Sequence, residues 1–102
     1  MRGPVASAAL ALLLTGAAQP KAHVVVGRGV AWDPKELEVQ SGDTVEWRNA
    51  DIVPHNVRAD RRAFTSKDLP PGASFKWRAR KRGTYPYRCT LHPEMTGTVR
   101  VR

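Results

Sequence analysis

Only one of the 102 residues is a cysteine, Cys89, so no disulfide can form within the chain. A domain this small buries a modest core and usually draws on a disulfide, a metal or tight sheet packing. With the disulfide excluded, a metal is the remaining outside help. The lone cysteine also excludes a c-type haem, which needs Cys-x-x-Cys-His. Histidines number three, so a four-ligand zinc site of cysteine and histidine would have to recruit every candidate, His23 included. A thiol protease would need an orienting partner for a Cys–His pair and an oxyanion site, and no segment supplies the latter.

Long apolar runs are missing as well. The longest, Val5 to Leu14, has ten apolar and small residues, about half of the roughly 20 that cross a bilayer. Met1-Arg2 before it and Thr15-Gly16-Ala17-Ala18 after it make a secretory signal, with cleavage expected after Ala18. The chain thus divides into a signal at 1–18 and one domain at 19–102. Periplasmic or other export is expected, with no stable membrane insertion. In an oxidising compartment a free thiol is exposed to unwanted chemistry unless something occupies it, and a metal does so.

Acidic residues are scarce, nine against 17 basic ones. Once Arg2 leaves with the signal, sixteen basic residues face nine acidic ones, a net charge of +7 with histidines neutral. Such a surface attracts acidic partners in a salt-dependent way. Export, and the lack of any nucleic-acid motif, set nucleic acid aside as the partner.

Helical periodicity is absent after residue 20. Short alternating runs between turns take its place, the pattern of an all-β sandwich or barrel of seven or eight strands. His23 to Val30 is valine-rich, and Leu37 and Val39 alternate with charged neighbours. After the Ser41-Gly42-Asp43 turn, Val45 and Trp47 face inward. His55 to Arg58 reads as a short strand and Arg61 to Ala73 as a loop. Phe75 and Trp77 share one face, as do Tyr85, Tyr87 and Cys89. Pro86 has no N–H for a ladder, so its strand has a gap there or lies at an edge. Val99 and Val101 point inward from the last strand.

The chemistry is concentrated in Cys89-Thr90-Leu91-His92-Pro93-Glu94-Met95. A thiolate, an imidazole and a thioether follow one another at three-residue intervals. A soft thiolate, two imidazoles and a weak axial thioether suit copper in both oxidation states. His55 or His23 must provide the second imidazole, and His55 sits where a rigid strand could hold it. Taken singly, Cys89 and Met95 could be core fillers and His55 a satisfied polar residue. Their coincidence with export and a lone cysteine points to a metal.

Asp33-Pro34 with Leu37 and Val39, then Gly42-Asp43-Thr44-Val45-Glu46-Trp47-Arg48-Asn49, resembles the first half of a plastocyanin-type cupredoxin. Pro54-His55-Asn56-Val57 and Tyr85 to Met95 resemble that family's copper motifs, and the two residues between His92 and Met95 match the short loop of amicyanin. The resemblance implies a Greek-key β-sandwich with one copper at one end, cycling between Cu(II) and Cu(I). It implies a trigonal set of His55, Cys89 and His92, with Met95 as the long axial ligand. Asn56 and Thr90 would tie the first-histidine segment to the cysteine loop, and His92 would be the exposed port for electrons. The implied function is exported electron transfer by a monomer, not enzymatic catalysis, between redox proteins of cytochrome or dehydrogenase type. Copper delivery or storage would use the same ligands.

Two positions depart from amicyanin. Leu91 replaces a proline and returns a backbone N–H near the Cys89 sulfur; Glu94 replaces a phenylalanine and sets a carboxylate beside His92. The clusters Arg58, Arg61, Arg62 and Lys76, Arg78, Arg80, Lys81, Arg82 fit a solvated face and an acidic partner's docking surface equally. His23 reads as a surface residue.

Overall fold

Alternation along the chain becomes two faces in the computed structural model, which describes residues 19–102; the expected signal at 1–18 lies outside them. Eight strands form: β1 (Ala22–Gly27), β2 (Trp32–Asp33), β3 (Glu36–Val39), β4 (Thr44–Asn49), β5 (Arg58–Ala59), β6 (Ser74–Arg78), β7 (Gly83–Arg88) and β8 (Thr96–Val101). They build two four-stranded sheets, ordered β2-β1-β4-β6 and β3-β8-β7-β5. The chain passes repeatedly between the sheets, and the pairs β1/β4 and β3/β8 run parallel. The architecture is the all-β Greek-key sandwich expected. Among the described residues no helix is long and apolar enough to cross a membrane.

The core lies between the sheets because every second side chain of a half-buried strand points there. β4 contributes Val45, Trp47 and Asn49, and β8 contributes Val99 and Val101, all buried. Trp47 is the hub, its ring 5.0 Å from Phe64, 5.3 Å from Tyr87 and 5.8 Å from Phe75. Gly97 faces Tyr87 across β7 and β8, and a Cβ at Gly97 would collide with the Tyr87 ring and hydroxyl.

Three expectations change. His55 to Arg58 is not a continuous strand: His55 makes one isolated bridge to Leu69, and the ladder starts only at Arg58. Arg61 to Ala73 is not simple surface loop, since Phe64 and Leu69 from it are core residues. His23 is only half exposed, its Nε2 lying 2.9 Å from the buried Asp43 carboxylate. The Pro86 gap is present: β5 ends opposite Tyr87, so the proline meets no strand on that side.

Candidate metal centre

The candidate ligands reach one end of the sandwich from two segments. Cys89 follows the last residue of β7, and its side chain continues the inward face of Tyr85 and Tyr87 into full burial. The loop after it is closed by two backbone bonds, Met95 N–H to His92 O at 2.8 Å and Cys89 N–H to Met95 O at 3.0 Å. This short closure keeps Cys89, His92 and Met95 together. Met95 is buried, with its methyl against Gly27 of β1.

His55 comes from the other segment and is wholly buried. Its backbone is clamped to Leu69 by N–H to O bonds in both directions, 3.1 and 2.6 Å. Asn49 holds the loop leading to it, donating from Nδ2 to Val53 O and Leu69 O, each at 2.8 Å.

The structure brings three of the four predicted donors into one cluster. Sγ of Cys89 lies 3.9 Å from His55 Nδ1 and 3.8 Å from His92 Nδ1. All three donor atoms lie within 4.8 Å of one another. Metal bonds of about 2.0–2.3 Å in a trigonal plane place donors about 3.5–3.8 Å apart, so the Cys–His spacings fit one shared ion. Two imidazoles with a thiolate form a donor set typical of type 1 copper. His23, the rival second imidazole, is bound to Asp43 instead.

The surrounding hydrogen bonds orient these donors. Asn56 and Thr90 are joined twice, Asn56 Nδ2 to Thr90 Oγ1 and Thr90 N–H to Asn56 Oδ1, both 2.8 Å. Asn56 Nδ2 also donates to Asp68 Oδ1 at 2.9 Å. The backbone N–H that reaches the sulfur is that of Asn56, at 3.3 Å; the bond expected from Leu91 is not formed.

Asp51 is the residue that sequence reading missed. Its Oδ2 accepts from His55 Nε2 at 2.7 Å, which leaves Nδ1 as the lone-pair nitrogen facing the sulfur. The carboxylate also accepts from the N–H groups of Gly29 at 2.6 Å and Val30 at 2.9 Å. Both residues have positive φ, 64° and 56°, a costly state for a β-branched valine. Successive N–H groups in such a turn form an anion-binding nest. Burial pushes the Asp51 carboxyl up, but the bonds from His55, Val30 and Gly29 outweigh it and hold the group below the usual carboxylate value. The signal available in the sequence was an aspartate four residues before the histidine, with a glycine-containing turn elsewhere to receive it.

Comparison with known proteins agrees with this geometry. Residues 4–101 match the model of the cupredoxin-like domain. The chain is 35% identical to an amicyanin of Paracoccus denitrificans over 73 residues, covering 67% of this chain and 56% of that protein. It is 31% identical to a plastocyanin of Prochlorothrix hollandica, covering 88% of this chain and 81% of the relative. The structure of a purple cupredoxin from Nitrosopumilus maritimus superposes with a TM-score of 0.72 at 30% identity, over 78% of this chain and 99% of that one. The matches to three amicyanins span 56%, 65% and 58% of those proteins' length. The motif pair, the two-sheet fold and the His–Cys–His cluster converge on one conclusion: this chain belongs to the cupredoxin family.

Proposed function

We propose that the protein carries single electrons between redox partner proteins on one copper, after export to the periplasm or an equivalent compartment. The observation that carries this reading is the approach of two imidazole Nδ1 atoms to the buried Cys89 sulfur, at 3.9 and 3.8 Å. Copper, when bound, supplies a Cu(II)/Cu(I) couple suited to a thiolate–imidazole set. His55, Cys89 and His92 would hold it, with the thioether of Met95 as a fourth, weaker donor. Asp51 keeps the proton on His55 Nε2, while Asn56 and Thr90 keep the cysteine loop against the first-histidine segment. Backbone clamps on both segments hold the donors in place as charge changes, so little reorganisation accompanies each transfer.

Half-buried His92 is the more accessible of the two imidazoles. Leu91 beside it, and Ile52 and Val53 before His55, are exposed apolar side chains. They form the rim through which a redox partner makes brief contact, and the +7 mature charge favours an acidic one. The test is the visible spectrum of the copper-loaded protein and of Cys89→Ser. An intense thiolate-to-copper band, lost in the variant while the fold persists, supports the carrier. A wild-type protein that binds copper without that band would instead be a delivery or storage module.

A further inference from the structure

Away from the candidate metal centre, a groove of about 920 Å³ opens between β6 and the start of β7. Arg61, Arg78, Arg80, Lys81 and Arg82 line it, against a single carboxylate, Asp60. Among the described residues the arginines paired with carboxylates are Arg48, Arg100 and Arg102, and no groove cation is among them. Five like charges gathered around one carboxylate, none of them in an ion pair, repel one another and do not favour folding. A solvated basic face would spread them over a convex surface. Here they line a concavity together with the rings of Trp77 and Tyr85, which meet edge to face with centroids 5.0 Å apart.

The cationic turn is also held in shape. Gly42 N–H bonds to Ala79 O at 2.6 Å, and Ala79 N–H to Asp43 O at 2.8 Å. The Tyr85 hydroxyl donates to Lys81 O, and Arg78 Nε donates to Gly42 O at 3.2 Å. Arg61, which also lines the groove, takes a positive φ of 57°, an uncommon state for arginine. A rigid site loses little entropy when a ligand binds.

From this we infer that the groove is a docking site for an acidic segment of a partner protein. Dispersed cations match carboxylates arrayed along a chain, and the Trp77 and Tyr85 rings take the apolar or aromatic side chains between them. The groove lies where β7 begins and Cys89 follows where it ends. Its lining on β7 runs from Gly83 to Pro86, so about 10 Å of strand separates its near edge from Cys89, and no residue of the His92 loop lines it. The inference rests on the carrier reading only in making the partner a redox protein; binding in the groove needs no copper.

The experiment uses a synthetic decapeptide of eight glutamates and two tyrosines, titrated into the isotope-labelled mature protein with and without copper. Amide and indole resonances are followed at low and physiological salt. Shifts confined to the Trp77 indole and residues 60–63 and 77–86, unchanged by copper, are expected. Arg80→Glu, Lys81→Glu and Arg82→Glu together should weaken binding at least tenfold, and Arg61→Glu alone at least threefold. Lys35→Glu, Arg58→Glu and Arg88→Glu together make the same change of net charge elsewhere and should weaken it less than threefold. Equal losses in the two triple variants, or shifts centred on the His92 loop, would overturn the proposal. So would tighter occupation of the groove by a ten-nucleotide single strand or by phosphatidylglycerol vesicles. Absence of the thiolate band in the wild-type protein would overturn the carrier reading while leaving the groove result standing.

Discussion

Replacing Asp51 with alanine removes three acceptor contacts at once: Gly29 N–H at 2.6 Å, Val30 N–H at 2.9 Å and His55 Nε2 at 2.7 Å. Each bond to a charged group is worth about 1.5–3 kcal/mol when nothing replaces it. Asp51 is partly exposed, its side chain at 14%, so water can take over at the Gly29 side. It cannot easily do so at His55, which is fully buried. The metal-free variant should therefore lose about 2–3 kcal/mol, or roughly 10–20 °C in Tm for a domain of this size. Copper affinity should fall about 10- to 100-fold, the usual cost of losing a partner that orients a ligating histidine. Thermal melts of the metal-free protein and competitive copper titration measure the two effects separately. Unchanged affinity in a destabilised variant would reduce Asp51 to a turn scaffold; no change in either would refute the reasoning.

Three further outcomes follow from particular contacts. Gly27→Ala places a Cβ 2.8 Å from the Trp32 ring and 3.1 Å from the Met95 methyl, so overpacking should cost about 1–3 kcal/mol and shift the thiolate band; a stable variant with an unaltered spectrum would separate Met95 from the metal. Asn56→Ala breaks both Thr90 bonds and the Asp68 bond and should cost about 2–3 kcal/mol by chemical denaturation. Thr90→Val, which keeps its N–H on Asn56 Oδ1, should cost less, and equal costs would contradict this. Asp43 is held at about 2 by bonds from Lys21 N–H, His23 and Gln40 N–H. A carboxyl lowered in the folded state stabilises above its unfolded value of about 3.9 and loses that contribution as pH falls towards 2. The stability gap between wild type and Asp43→Asn, read from denaturant midpoints, should be constant from pH 5 to 7 and close between pH 4 and 2.

The strand pattern and the ligand loop were both legible in the amino-acid order, because each is a local property. Two-residue periodicity puts Val45, Trp47 and Asn49 on one side of β4 whatever they later meet. The three-residue intervals of Cys89, His92 and Met95 hold them on one loop wherever it docks. Pro86 announced a gap for the same reason, since a missing N–H belongs to the residue itself. What tertiary structure alone decided are contacts between segments far apart in the chain. Phe64 and Leu69 sit in a stretch with no period, and only the space left under Trp47 and beside His55 buries them. Which backbone N–H faces the Cys89 sulfur depends on how the first-histidine segment lies across the loop, and that placement favours Asn56 over Leu91. Asp51 became the partner of His55 only when the Gly29–Val30 turn was folded over it. Side-chain alternation is set residue by residue, whereas hydrogen bonds between distant segments exist only once sheet register and packing have fixed their separation.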